Sequence, residues 1–187
     1  MMSEATTIHW IRSVSDKEIE LLSERNPELC FERSSEGALV VSPPAGSDSG
    51  RRNATLTGLL WRWNAQTGKG IVFDSSAGFV LPDSSLLSPD ASWIERSRWD
   101  ALMREQQRRF SPLCPDVVME LMSPSDRGRR ARERIDIFGR NGAALTVLLD
   151  PDERLMEVNG EPRPWRPIDL AFPKCETPFR LDPAELE

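Results

Sequence analysis

One charged residue interrupts an apolar run in the second half of the chain. Residues 117–122 (VVMELM) are typical of a central β-strand that is covered on both faces, and Glu120 is their only charged member. A carboxylate is costly to bury unless it binds a cation or pairs with an arginine. Both interpretations of Glu120 stay open, since the chain contains 21 arginines and only three lysines.

A second carboxylate, Asp90, lies where a turn enters the predicted strand 91–94. It follows Ser88 and Pro89, and strand ends of this kind are common places for functional sites. The alternative is a turn aspartate that accepts a hydrogen bond from its own backbone, which is frequent for this residue type. Asp90 and Glu120 are therefore the two candidate ligands for a cation.

Histidine and cysteine are too scarce for most other kinds of catalytic or metal site. His9 is the only histidine, and it is interpreted as a half-buried or solvated strand residue; Cys30, Cys114 and Cys175 form no CxxC pair. Two-histidine zinc sites and Ser-His-Asp triads are thereby excluded. Any bound metal should be a hard cation held by carboxylate oxygens.

The formal net charge is −6, so the molecule as a whole should not be attracted to polyanions. Residues 127–140 nevertheless hold six arginines against two acids, and residues 95–109 hold five against three. Such patches can contact phosphates, or they can be solvated helix faces with pairs such as Glu133 with Arg129. We favour the second interpretation for 95–109 and the first for 127–140.

These residues lie in an alternation of predicted helices and strands that indicates an α/β (mixed α+β) fold. The capping box of Ser15 and Glu18 predicts a helix, and Leu56, Leu59, Leu60 and Trp63 give a second helix a core-facing stripe. The predicted elements are a hairpin over 29–42, helices over 49–66, 96–110 and 127–140, strands at 71–74, 78–81, 91–94, 117–122 and 145–150 with a turn at 82–85, and a hairpin starting at 155–158.

The length of 187 residues predicts a single domain, with residues 1–28 as an N-terminal helical extension and residues 160–187 as C-terminal strands and coil. No stretch approaches the roughly 20 apolar residues that span a bilayer. The N-terminal residues do not resemble a secretory signal. The expectation is a cytoplasmic protein without membrane contact.

The ordered motifs resemble the PD-(D/E)XK nuclease superfamily, and more narrowly the Uma-two family of endonuclease-like proteins. The resemblance covers most of residues 30–160. The matching residues are Phe31-Glu32, Glu36-Gly37, Ser42-Pro43-Pro44, Ser88-Pro89-Asp90, the block from Pro115 to Asp126, Arg134-Ile135-Asp136-Ile137-Phe138, Asn141-Gly142 and Leu148-Leu149-Asp150-Pro151.

This resemblance implies a restriction-endonuclease-like fold, a twisted mixed β-sheet flanked by helices. It implies hydrolysis of DNA phosphodiester bonds with Mg²⁺ or Mn²⁺, with Asp90 and Glu120 as metal ligands and Glu32 as a further acidic group. The alternative for Glu32 is a partly exposed hairpin residue. Arg127, Arg130 and Arg134 are the expected DNA contacts, and a homodimer is expected by analogy with nucleases that cut two strands.

The sequence departs from the superfamily pattern at its lysine. The position two residues after Glu120 is Met122, and the lysine that relatives carry on the next helix corresponds to Arg134. Arg134 lies about 60° from the buried stripe of that helix, so its side chain could reach a carboxylate or a phosphate. Arginine stays protonated and cannot accept a proton from water. Of the lysines, only Lys69 could approach the site.

Two other functions remain compatible with these residues. The replacement of the lysine favours a catalytically inactive nucleic-acid-binding domain that retains the nuclease fold. The acidic composition, with six tryptophans and no tyrosine, favours a protein-interaction domain without nucleic acid.

Overall fold

The computed structural model describes residues 5–9, 11–122 and 129–187, with the backbone alone at Arg129. The strands are β1 (Thr6–Ile8), β2 (Cys30–Arg33), β3 (Leu39–Ser42), β4 (Gly70–Asp74), β5 (Phe79–Val80), β6 (Leu86–Leu87), β7 (Ala91–Glu95), β8 (Val117–Leu121), β9 (Leu145–Asp150), β10 (Leu155–Val158), β11 (Glu161–Arg163), β12 (Ile168–Leu170) and β13 (Phe179–Leu181). The helices are α1 (Asp16–Arg25), α2 (Ser47–Thr67), α3 (Arg96–Asp100), α4 (Arg104–Arg108), α5 (Arg129–Arg140) and a final 3₁₀ helix, Pro183–Leu186.

The largest sheet is mixed and has the strand order β11-β10-β9-β8-β7-β4. Strands β8 and β9 pair in parallel, and the other neighbours in this sheet are antiparallel. A five-stranded sheet of order β1-β3-β2-β6-β5 and the β12–β13 pair complete the described strands. The predicted mixed α+β architecture with flanking helices is thus confirmed.

Strand β8 is buried along its whole length, as its apolar sequence predicts. Successive side chains of a strand point to opposite faces. Val117, Met119 and Leu121 share one hydrophobic cluster with the buried stripe of α2, and Val118 shares another with the buried residues of α5. Glu120 therefore lies on the α5 side of the sheet.

Local signals at the helix ends are confirmed. The Ser15 side chain accepts a hydrogen bond from Glu18 N, and the Glu18 carboxylate accepts one from Ser15 N at 2.9 Å. Helix α2 ends at Gly68, whose left-handed conformation (φ 63°) is one that glycine adopts without steric cost. The predicted stripe of α2 is buried, since Leu56, Leu59, Leu60 and Trp63 all lie in the core.

The predicted helix over 96–110 was wrong, because two short helices, α3 and α4, occupy this region. Two glutamine side chains bond the backbone at the break: Gln106 accepts from Met103 N at 2.9 Å, and Gln107 donates to Trp99 O at 2.9 Å. The Trp99 ring packs against Phe73 at a centroid distance of 5.0 Å, which fixes the end of α3 on the sheet.

Two short strands were not predicted. The turn at residues 82–85 was predicted to lead to the strand at 91–94. It leads instead to β6, which pairs with β5 and β2. The N-terminal segment contains β1 as well as the predicted helix α1, and β1 pairs with β3. Strands of two or three residues carry too little alternation to be recognised in a sequence. His9 follows β1 and is exposed.

Within the described parts of the chain, no helix is both long enough and apolar enough to span a membrane.

Candidate active site

Asp90 and Glu120 lie beside each other on neighbouring strands. Asp90 immediately precedes β7, and the register of β7 with β8 pairs Ala91 with Met119. The backbone N–H of Leu121 donates to Asp90 Oδ2 at 2.8 Å, so the two strand ends are joined at this point. The structure thus brings together the two carboxylates that the sequence singled out 30 residues apart.

The other oxygen of Asp90 contacts helix α2. Asn53 Nδ2 donates to Asp90 Oδ1 at 3.0 Å. Both carboxylate oxygens therefore bond groups on other elements, and Asp90 is not simply a turn residue bonded to its own backbone. Asn53 could not be recognised from the sequence, because nothing local to α2 indicates that a residue 37 positions away is its partner.

Arg134 lies at the centre of the site and is 12% exposed. Its Nε donates to Glu120 Oε1 at 3.0 Å, and its Nη1 donates to both Glu32 oxygens at 2.6 and 2.7 Å. Its Nη2 donates to the carbonyl of Ser88 at 2.6 Å. The arginine ion pair considered for Glu120 is therefore present, and it extends to a second carboxylate.

Glu32 is buried, with 3% of its surface exposed, so its interpretation as a partly exposed hairpin residue was wrong. Its neighbours explain the burial, since Ser88 N donates to Oε1 at 2.8 Å and Arg130 Nη2 lies 3.2 Å from Oε2. Arg130 also bonds Ser42 Oγ at 3.2 Å and keeps 34% of its side chain exposed. Six elements or their connections thus contribute to one cluster: α2, β2, β3, the β6–β7 connection, β8 and α5.

The three carboxylates respond differently to this common environment. Burial opposes the ionisation of Glu32, but the charge and hydrogen bonds of Arg134 outweigh it and lower the pKa of Glu32. Burial raises the pKa of Asp90. Burial also raises the pKa of Glu120 to about 8, because the Arg134 charge that opposes it is partly offset by the negative charge of Asp90. The surrounding protein therefore stabilises the ionised forms of Asp90 and Glu120 incompletely.

The donor atoms of Asp90 and Glu120 fit a hard divalent cation. Mg²⁺ is commonly bound by one or two carboxylates and keeps water or phosphate oxygens at its other positions. A closed protein cage is absent from the described residues, since no three histidine, cysteine or acidic side chains are placed to hold one metal ion together. Two carboxyl groups whose ionised forms lack full stabilisation by the protein agree with an open site of this kind.

The lysine position of the superfamily pattern has a structural role here. Met122 is buried in the cluster beneath α5 with Ala131 and Ile135, so its side chain is part of the core. The suggestion that Lys69 could approach the site was wrong. Lys69 precedes the end of β4 that pairs with Glu95, whereas Asp90 lies by the other end, roughly 20 Å away at the rise of a strand.

The arginines outside the cluster are mostly engaged in the fold. In the 95–109 region, Arg98 pairs with Asp116 at 2.6 Å, and Arg96 donates to the carbonyl of Gly70 at 3.2 Å. On α5, Arg132 pairs with Glu157 at 3.0 Å. Arg127, a predicted DNA contact, lies outside the described residues, as does the side chain needed for a pair between Glu133 and Arg129.

Comparisons with known proteins agree with this architecture. No curated protein matches the chain. A crystal structure of "a putative nuclease belonging to DUF820" from Anabaena variabilis is similar, with a TM-score of 0.63 and 18% sequence identity over 90% of this chain and 84% of that one. At this identity the likeness concerns the fold. The model of the Uma2 family, described as "Putative restriction endonuclease", matches residues 16–175. The chain therefore belongs to the Uma2 family of restriction-endonuclease-like proteins.

Proposed function

We propose that this chain is a divalent-metal-dependent endonuclease that hydrolyses phosphodiester bonds in DNA. The observation that carries the proposal is the pair of buried carboxylates, Asp90 and Glu120, held side by side at adjoining strand ends. Burial raises the pKa of both groups, which indicates a site that a cation would stabilise. Membership of a family described as restriction endonucleases agrees with this chemistry.

In this proposal Asp90 and Glu120 hold Mg²⁺ or Mn²⁺. Such an ion, when bound, supplies an activated water and neutralises the charge that develops on the phosphate. Asn53 and the Leu121 amide hold Asp90 in a fixed orientation through hydrogen bonds to its two oxygens. Partners that orient a ligand in this way commonly change metal affinity or activity by 10- to 100-fold, to order of magnitude.

The arginines supply positive charge and do not accept a proton. Arg134 remains protonated, since the charges of Glu120 and Glu32 overcome its burial and raise its pKa. It therefore orients Glu120 and stabilises negative charge. Arg130 is more exposed and lies on the same helix, so it is the described residue placed to bind a substrate phosphate. Glu32, which bonds both arginines, holds them beside the site as their counter-ion. Arg127 is proposed as a further phosphate contact.

The test compares wild type with an Asp90→Ala, Glu120→Ala double variant on plasmid and single-stranded DNA in Mg²⁺ or Mn²⁺. Asp169→Asn, which removes an acid in the exposed pair with Arg180, is the matched control. We expect metal-dependent cleavage by wild type and control, and none by the double variant. Cleavage that persists in the double variant would rule out these two ligands.

Calorimetry gives a readout that does not depend on turnover. Because burial holds the pKa of Glu120 at about 8, metal binding near neutral pH should release a proton from it. The measured heat should then depend on the ionisation enthalpy of the buffer. Absence of both cleavage and binding heat would contradict the nuclease proposal.

A second candidate, a catalytically inactive nucleic-acid-binding domain, is favoured by one observation. The Arg134 guanidinium bonds Glu120 and Glu32 together, whereas a lysine could not span both with a planar fork. Salt-dependent DNA binding without cleavage by wild type would select this candidate. A gain of cleavage in Arg134→Lys would show that arginine at this position suppresses an otherwise competent site.

A further inference from the structure

A groove of about 750 Å³ runs between helix α2 and strand β4, and it adjoins the carboxylate cluster at Asn53, which bonds Asp90. Asn53, Ala54, Gly58 and Trp61 line its helix side, and Val72 and Asp74 line its strand side. Gly58 has open space where a side chain would lie, and the Trp61 indole is 64% exposed. The groove therefore has an open helix wall with one large apolar side chain at its end.

The strand wall of the groove is the edge of the large sheet. Among the described strands, β4 is last in the sheet order and pairs only with β7. The backbone carbonyl of Lys69 accepts a hydrogen bond from Arg96 N at 2.9 Å, so the backbone groups of Lys69 are directed towards β7. Backbone groups alternate in direction along a strand. Ile71 and Phe73 consequently bond β7, and Gly70, Val72 and Asp74 direct their N–H and C=O groups away from β7. The Asp74 carbonyl accepts a turn hydrogen bond from Ala77 N at 3.2 Å.

Gly70, the first of these outward-facing residues, already has both backbone groups bonded by the Asn64 side chain. Gly70 N donates to Asn64 Oδ1 at 3.2 Å, and Asn64 Nδ2 donates to Gly70 O at 3.0 Å. This paired exchange is the one that a neighbouring strand residue would make. Two residues further on, no described residue bonds the outward N–H and C=O of Val72. The edge is thus bonded at Gly70 and at the Asp74 carbonyl, and it is open at Val72 between them.

We infer that this groove binds an extended peptide, which adds to β4 as a further strand. A peptide residue opposite Val72 would exchange two backbone hydrogen bonds with it and direct its side chain to the same face. That face is the α2 side, because Val72 packs against the cluster of α2. The space over Gly58 and beside Trp61 accepts an apolar side chain there. Exposed Asp74 favours a lysine or arginine at the adjoining peptide position.

The lining of the groove argues against a nucleic acid as its occupant. No lysine or arginine is among its lining residues, and its one charged residue is acidic, so a phosphodiester strand gains no charge pairing there.

The test pans a displayed library of random linear nonapeptides on the full chain and measures binding of the enriched peptide as a synthetic ligand. Val72→Pro removes the outward N–H without removing a bond to β7, which makes it compatible with an edge strand. Gly58→Trp fills the groove from the helix side and leaves β4 unchanged. Gln66→Ala, at an exposed position near the end of α2, is the matched control.

We expect the enriched peptides to carry an apolar residue next to a basic one. Both groove variants should weaken binding at least tenfold with unchanged circular dichroism, and the peptide should slow amide hydrogen exchange at Val72. The inference is overturned if no peptide is enriched, or if the groove variants bind as the control does. It is equally overturned if a single-stranded oligonucleotide displaces the peptide competitively, or if Val72→Pro dissociates a dimer of the chain.

Discussion

Arg134 contributes both to the proposed chemistry of the candidate site and to the stability of the folded protein. Its guanidinium donates to Glu120, to Glu32 and to the carbonyl of Ser88, and all three acceptors lie on different segments of the chain. Removal of one partner of a buried ion pair costs about 3–5 kcal/mol, because the remaining charge is left without compensation. The residue thus stabilises the arrangement of the carboxylates in addition to its proposed role towards the phosphate.

Glu120 should make the stability of the protein depend on pH. Its pKa of about 8 in the folded protein lies above the ordinary value of 4.5. A carboxyl group with a raised pKa stabilises the folded state fully below its unfolded pKa, and this contribution is lost as the pH rises through the folded pKa. The difference in unfolding free energy between Glu120→Gln and wild type should therefore shift in favour of the variant as the pH rises from 5 to 8, by about a few kcal/mol in total.

Urea unfolding at half-unit pH steps measures this difference. Glu157→Gln, which breaks the ion pair of Glu157 with Arg132 at the other side of α5, is the control and should show a difference that is flat over the same window. The lowered pKa of Glu32 acts below pH 4.5 and leaves this window unaffected. Parallel stability curves for wild type and Glu120→Gln would contradict the prediction.

Asn53 provides a test of the orientation of Asp90. Asn53→Ala removes the 3.0 Å hydrogen bond to Asp90 Oδ1 and leaves the Leu121 amide as its remaining described partner. We expect a loss of about 10-fold or more in metal affinity, which is the usual effect of removing a partner of a metal ligand. Isothermal titration with Mn²⁺ measures it. Thr55→Ala on the same helix, away from Asp90, should leave the affinity unchanged.

At the scale of secondary structure, helix α2 and strands β4 and β7 must pack closely to place Asn53 beside Asp90. Gly70 marks the closest contact, since a Cβ there would lie 2.2 Å from the Trp93 ring and 2.4 Å from the carbonyl of Ile94. The same ring donates from Nε1 to Asn64 at 2.9 Å, which fixes α2 over the sheet. The absence of a side chain at Gly70 is therefore a requirement of this packing.

Alanine substitutions at Gly70 and Gly58 should have opposite effects on stability, because the first disturbs close packing and the second improves helix propensity. Gly70→Ala should destabilise the protein by about 1–3 kcal/mol, because backbone and an aromatic ring must shift to admit the methyl group. Gly58→Ala lies in the middle of α2 with open space around its Cβ, and it should stabilise by about 0.5–1 kcal/mol. Thermal unfolding of both variants checks the opposite signs, and equal effects would contradict the close approach at Gly70.

At the scale of the whole molecule, the net charge of −6 limits how DNA can bind. Attraction must come from a local patch, and of the predicted contacts in the described region only Arg130 is substantially exposed. Each phosphate contact adds about −0.9 to the slope of log affinity against log salt. We therefore expect a shallow slope of about −2 to −3, measured by fluorescence anisotropy with labelled duplex DNA.

Arg130→Ala should reduce this slope by about one unit. The control is Arg163→Ala, at an exposed position of β11 on the far edge of the large sheet, which should leave the slope unchanged. A slope that changes equally in both variants would show that binding follows overall charge and not the surface of α5.

The sequence by itself determined much of the fold. Helices α1 and α2 and the buried strand β8 follow from capping residues and apolar spacing, which are local properties of the chain. The short strands β1 and β6 and the break between α3 and α4 depend on partners distant in sequence, so local patterns could not reveal them.

For the site, Asp90 and Glu120 stood out individually, as a carboxylate at a strand end and a carboxylate inside an apolar strand. Glu32 and Arg134 were identified through the resemblance to the family pattern. Only the tertiary structure decided that one guanidinium joins two of these carboxylates, that Asn53 holds the third, and that Lys69 is at the wrong end of its strand. The physical reason is that ion pairing and burial depend on distances between side chains, and these distances exist only after the sheet and helices have packed.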